Sequence, residues 1–216
     1  MNKSDVVLYI ADIRNFDTER LFTKYGTGFS KHRLVRISKC KNASEKKKLV
    51  ATGVLLAYVF STYGYDASEI IIDDNGKPFI INNDAFFFNV SHSGAYVTVA
   101  VSGQAVGVDI QKYVDPSAKV VERVCTPEEI AALGDISRKD FAHVWSVKEA
   151  AAKLDGAGIG MDMRRFSFDI NAASPEVMLD NEHFCHIARC DRNEEYALSV
   201  ACHDTFEIKG INKISI

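Results

Sequence analysis

The groups in this sequence whose types and spacing best suit holding a hard cation are Asp109, Gln111 and Glu149, with Lys153 beside them. Asp109 lies in Val106-Gly-Val-Asp-Ile-Gln, where Val106, Val108 and Ile110 alternate with other residues. That period marks a half-buried strand, and residues two apart share a face, so Asp109 and Gln111 point the same way. A carboxylate beside a second oxygen donor is half of a site for an ion such as Mg²⁺. The other half lies in Phe141-Ala-His-Val-Trp-Ser-Val-Lys-Glu-Ala-Ala-Ala-Lys, where Phe141, Trp145 and Ala152 mark the apolar stripe of a helix. Trp145, Glu149 and Lys153 follow at i, i+4 steps and share a face, whereas Lys148 points off it. Gly156 stands in the usual terminator position. The bland alternative is a surface ion pair worth about 0.3–0.5 kcal/mol.

The elements that must position these groups can be read in outline. Residues 86–90, 96–101 and 106–110 form a strand, turn, strand, turn, strand pattern, with Gly94 and Gly103 at the breaks. Ser91 and His92 end the first strand. A serine-hydrolase reading of that pair fails, because adjacent strand residues face opposite ways and no G-x-S-x-G elbow occurs. Residues 6–11 read as a strand with both faces apolar, inside a sheet. Residues 31–48 carry eight lysines and arginines against one acid, Glu45; they form either a solvated face or a phosphate cradle. Asn42 can cap the following helix with Glu45 reaching back, Leu49, Leu56, Val59, Phe60 and Tyr63 form its core stripe, and Gly64 stops it. Asn75-Gly-Lys-Pro is a turn that would expose the Lys77 amine. Asp115-Pro116 is expected to open a short helix, and Thr126 with Glu129 forms a capping box. Strands are expected at 166–170, 177–179, 183–190 and 196–202, with turns at Asp180-Asn181 and Arg192-Asn193. His183 and His186 do not read as a metal pair, because an odd spacing on a strand splits them across faces. The tail, 206–216, reads as a weak strand or a frayed end.

With 216 residues and 47% hydrophobic content the chain can bury a sizeable core, as one large domain or two small ones. A net charge of −3 gives no whole-protein signal for nucleic acid or membrane. Five scattered cysteines without a C-x-x-C pair argue against a zinc knuckle or disulfide framework and fit a reducing compartment. The apolar run at 6–11 is too short for a signal peptide, and no apolar stretch is long enough to span a bilayer. A soluble, cytoplasmic protein is expected.

Four motifs then occur in order: Gly76-Lys-Pro, Phe88-Asn-Val-Ser-His-Ser, Gly107-Val-Asp, and Trp145-Ser-Val-Lys-Glu with Lys153. Together they resemble the phosphopantetheinyl transferases of the surfactin-synthetase-activating type. The resemblance implies an α+β fold with a pseudo-twofold arrangement of two similar halves, each with helices packed on an antiparallel sheet. The expected halves are 1–104 and 105–216, with the active site between them. It implies Mg²⁺-dependent transfer of 4′-phosphopantetheine from coenzyme A to a serine of an acyl or peptidyl carrier protein. Asp109 and Glu149 would hold the metal, Glu149 would serve as base, and Lys153 would steady the phosphate or protonate the leaving nucleotide. Arg33 and Lys48, with His32 possible, would match the residues on the coenzyme A 3′-phosphate. Lys77 would serve the pyrophosphate, and Ser91 and His92 a phosphate. Gln111 departs from the Gly-x-Asp-x-Glu pattern and is a third candidate metal ligand. Glu129 matches an active-site-adjacent glutamate, although its capping role explains it without chemistry. Lys148 matches a family position of less clear role, and Trp145 would hold its helix in place. A monomer that binds neither nucleic acid nor membrane is expected. Two other classes stay open: another Mg²⁺-dependent phosphotransferase or nuclease, and a non-catalytic module binding coenzyme A or a carrier.

Overall fold

The computed structural model describes residues 1–156, 161–191 and 195–216. Strand β1 (Asp5–Asp12) lies inside a sheet, as its two apolar faces predict. Helices α1 (Thr18–Tyr25), α2 (Lys31–Lys39) and α3 (Ala43–Thr62) follow. A small hairpin of β2 (Ile71–Ile72) and β3 (Pro78–Phe79) leads to β4 (Phe87–Ser93), β5 (Tyr96–Ser102) and β6 (Val106–Lys112). Helices α4 (Ala118–Val124), α5 (Pro127–Leu133) and α6 (Arg138–Asp155) come next. The chain then runs through β7 (Phe166–Ser167), β8 (Glu176–Leu179), β9 (Glu182–Arg189), β10 (Tyr196–Cys202) and β11 (Glu207–Ile214).

Two sheets result, ordered β11-β1-β5-β4 and β6-β10-β9-β8-β7. The pairings within them are antiparallel except for β1 with β11, which is parallel. Alternation along the strands builds three apolar layers. Tyr9, Val97, Val99 and Val101 face α3; Leu8, Ile10, Ala100, Val108, Ile110 and Leu198 meet between the sheets; Ala201, Cys185 and Ile187 face α6. The order is therefore helix, sheet, sheet, helix. Strands β5 and β10, covered on both faces, are buried at every residue.

Several expectations change. The three strands from 86 to 110 do not form one meander: β4 and β5 pair, whereas β6 leaves to pair with β10 in the second sheet. Helix α3 is buried all round from Leu49 to Leu56, because α1, α2 and the first sheet close on it, so its core contact is wider than a stripe. Asn42 caps it by accepting from the Glu45 N–H, but the Glu45 carboxylate turns to Lys48 instead of reaching back. Helix α4 starts at Ala118 after Ser117, leaving Asp115-Pro116 outside it. Of 166–170 only Phe166–Ser167 is strand. The tail is a strand that pairs with β1, with one register shift between Val6 and Val7, because β1 offers it an open edge. Asp180 and Asn181 take positive φ in the two-residue β8–β9 turn, as their side chains allow. The Arg192-Asn193 turn lies outside the described residues. Among those described, no helix is long and apolar enough to cross a membrane, and all five cysteines are free thiols.

Candidate active site

Helix α6 can carry reactive groups onto β6 only by lying close to it, and Gly107 makes that possible. A Cβ on Gly107 would stand 2.0 Å from the Ala150 carbonyl oxygen and 2.7 Å from the Leu154 nitrogen. Further along the helix, Ser146 Oγ meets Ser199 Oγ of β10 at 2.8 Å. The buried Lys148 ammonium donates to Glu129 Oε2 at 2.7 Å and to the Val124 carbonyl at 2.8 Å. Lys148 thus ties α6 to both short helices, and Glu129 completes its capping box on Thr126 at the same time. In the structure both residues make structural contacts, the capping box and the buried ion pair.

The two sheets are joined by side chains from alternate residues of β4. Asn89 Oδ1, Ser91 Oγ and Ser93 Oγ accept from the Val108, Ile110 and Lys112 N–H groups of β6 at 3.2, 3.2 and 3.0 Å. They satisfy donors that an edge strand would otherwise leave open. Ser91 does more, because its hydroxyl donates to Asp109 Oδ1 at 2.6 Å. Lys153 donates to Asp109 Oδ1 at 2.6 Å, to Ser91 Oγ at 3.0 Å and to the Val108 carbonyl at 3.1 Å. One oxygen of Asp109 is therefore saturated, whereas the other, Oδ2, is buried without a partner. Burial first, and then the charge on Asp109, raise the Glu149 carboxyl above its ordinary range, with Lys153 opposing. Two close carboxylates, one bearing an orphaned buried oxygen, fit a small oxygen-seeking cation.

Glu149 and Lys153 stand in a cleft of about 830 Å³ whose other charged walls are the cations Arg36, Lys77, Arg123 and Arg164 and the acid Asp162, with His32, whose pKa burial and then Arg36 lower, beside them. Trp145 lines it too. Lys77 does not wave in solvent: its ammonium donates to the Leu154 carbonyl at 2.8 Å, because the β2–β3 turn packs against the end of α6. Burial lowers its pKa. His92 is half-buried, and burial, then Lys48, lower its pKa. Lys48 itself is held by Glu45 at 2.5 Å. Arg33 donates to the Leu49 carbonyl at 3.1 Å, and burial pushes its pKa down to about 10. The amide nitrogen of Gln111 donates to the Lys112 carbonyl at 3.2 Å.

The structure thus brings together Asp109, Ser91, Glu149 and Lys153, with Lys77 at the rim. Arg33 is turned into the protein, and Arg36 takes its place on the cleft. That exchange was readable, since His32 and Arg36 are one helical turn apart on one face. Arg123 and Arg164 come from distant segments, and no local pattern singles them out.

Residues 105–201, spanning the strand of Asp109, all of α6 and the second sheet through β10, match the model of the 4′-phosphopantetheinyl transferase superfamily. A Bacillus subtilis 4′-phosphopantetheinyl transferase is 30% identical over 182 residues, covering 78% of this chain and 81% of its own. The chain belongs to the 4′-phosphopantetheinyl transferases. The transferase Sfp of Bacillus subtilis strain 168 is 30% identical over 184 residues, with 78% and 81% covered. A Thraustochytrium phosphopantetheinyl transferase is 31% identical over 176 residues, covering 71% of this chain and 61% of its own.

Proposed function

We propose that the protein transfers 4′-phosphopantetheine from coenzyme A to a serine of an acyl or peptidyl carrier protein, with Mg²⁺. The observation that carries this reading is the unpartnered buried oxygen of Asp109 beside Glu149, which lines a cleft together with Arg36, Lys77, Arg123 and Arg164. Asp109 and Glu149 would hold Mg²⁺, with the Gln111 amide oxygen as a third, uncharged ligand. Held there, the ion would supply charge neutralisation at the pyrophosphate during transfer.

The protein's own groups do the rest. The cations Arg36, Lys77, Arg123 and Arg164 draw the phosphates of coenzyme A into the cleft, and His32 offers them a neutral hydrogen-bond donor. His92 and Lys48, with Arg33 behind them, serve the 3′-phosphate. Ser91 holds Asp109 and Lys153 in place through its three hydrogen bonds. The raised pKa of Glu149 suits it to take the proton of the carrier serine. Lys153 exchanges a protein acceptor for a phosphate oxygen and steadies the departing nucleotide.

In this reading residues 1–104 and 105–216 are pseudo-twofold halves, each a long helix on a sheet, with β11 returned to the first sheet. The protein works as a cytoplasmic monomer, in keeping with its free thiols. The test is intact-mass spectrometry of apo carrier proteins incubated with the protein, coenzyme A and Mg²⁺. A gain of one phosphopantetheine with release of adenosine 3′,5′-bisphosphate is expected. No gain across acyl, aryl and peptidyl carriers would refute the reading.

A further inference from the structure

Strand β9 carries two histidines that the transfer chemistry leaves unused. Their spacing, His183 and His186, should place them on opposite faces of a regular strand. A β-bulge prevents that. The β8–β9 register runs Val177 against Cys185 and then Met178 against His183, so Phe184 is an extra residue without a partner. The bulge turns His183 to the side of His186, and the two rings lie with centroids 4.9 Å apart. Glu176 of β8 pairs directly opposite His186 and brings a carboxylate to the same place.

We propose that Glu176, His183 and His186 form a second metal site, for a borderline divalent cation of the zinc class. His183 Nε2 lies 3.9 Å from Glu176 Oε2, and His186 Nδ1 lies 3.7 Å from Glu176 Oε1. One ligand atom from each of the three lies within 4.8 Å of the others. Zinc–nitrogen and zinc–oxygen bonds near 2 Å set tetrahedral ligand atoms about 3.3 Å apart, so the approach still required is small. Side-chain rotation supplies it, because the three are 61%, 43% and 26% exposed and free to turn. The fourth position faces water. Cys185, between the two histidines, is fully buried on the other side and is not a ligand. Bulges re-aim side chains at the expense of a ladder pairing, and here the re-aimed side chain completes a cluster of ligands.

Two imidazoles and one carboxylate select zinc, nickel or copper over magnesium, which demands oxygen ligands. The all-oxygen cleft at Asp109 and Glu149 has the opposite preference. The chain therefore carries two metal positions of different chemistry, and this second one does not depend on the transfer reading.

The test uses tag-free protein with excess Mg²⁺ present to fill the cleft, titrated with Zn²⁺ by calorimetry and with Co²⁺ by visible absorption. One equivalent should bind, and the cobalt form should show the intense bands of a tetrahedral site. His183→Ala and His186→Ala should each weaken binding by about tenfold or more, since even outer-shell losses cost that much. Glu176→Gln, which keeps size and fold, should weaken it too. Mg²⁺-supported transfer should be unchanged in all three. Zinc binding that persists unaltered in the His183→Ala/His186→Ala double variant would overturn the site.

Discussion

Replacing Lys148 by Met should be among the most damaging single changes that leave the cleft residues intact. The side chain is fully buried, and its ammonium makes two hydrogen bonds, to the Glu129 carboxylate and the Val124 carbonyl. Met fills most of the volume but leaves both acceptors unmet, and Glu129 becomes a buried charge supported only by the Thr126 N–H. Two bonds to a charged donor at about 1.5–3 kcal/mol each set the scale. Breaking a buried pair from one side costs about 3–5 kcal/mol, and that is the expected loss. Glu129→Gln keeps one oxygen for both the Thr126 N–H and the ammonium but removes the counter-charge, leaving a buried cation uncompensated, so it should cost a similar amount. The double variant should then be less damaging than the sum, with a coupling of at least ~1.5 kcal/mol. Urea unfolding with unchanged m-values is the assay. Because the pair anchors the turn of α6 that bears Glu149, Lys148→Met should also lower turnover at saturating coenzyme A. A loss under ~1 kcal/mol with additive single effects would refute the buried-pair argument.

Three further outcomes are expected. Gly107→Ala should cost about 3 kcal/mol or more in the same unfolding assay, since its Cβ would meet the α6 backbone and not a movable side chain. The raised Glu149 pKa contributes stability that is full below the ordinary carboxylate range and lost as pH rises through the raised value. Glu149→Gln should therefore gain on the native, metal-free protein as pH rises from acid to neutral, measured by thermal unfolding; a difference flat with pH would contradict this. Gln111→Glu should lower the Mg²⁺ concentration giving half-maximal activity, with a smaller effect on saturated kcat, and an unchanged titration would remove Gln111 from the metal position.

What could be read from the sequence was whatever is fixed locally. The strand marked by Val106, Val108 and Ile110, the i, i+4 run of Trp145, Glu149 and Lys153, the Thr126 capping box and the Gly156 stop all stand in the structure, although the strand is buried on both faces from Val106 to Ile110 where its alternation suggested one. What escaped depends on packing between distant segments. The departure of β6 to a second sheet is invisible in a three-strand pattern, and so is the use of Asn89, Ser91 and Ser93 to join the sheets. Lys148 and Glu129, 19 residues apart, meet only once α5 folds onto α6. His183 and His186 were separated by a rule of regular strands, and a single bulged residue reverses it. The packing of α2 on α3 turns Arg33 into the protein and Arg36 onto the cleft, a facing that the run of basic residues does not show.

The most direct test of the central claim is the single-turnover rate of carrier modification by Asp109→Asn at saturating coenzyme A, carrier and Mg²⁺. The substitution keeps size and Oδ1, so Ser91 and Lys153 retain their acceptor, while the charge at the orphaned oxygen is lost. If Asp109 helps to hold the cation on which transfer depends, the rate should fall on the order of 100-fold or more with an unaltered circular dichroism spectrum. A folded Asp109→Asn protein that modifies the carrier at the native rate would contradict the account.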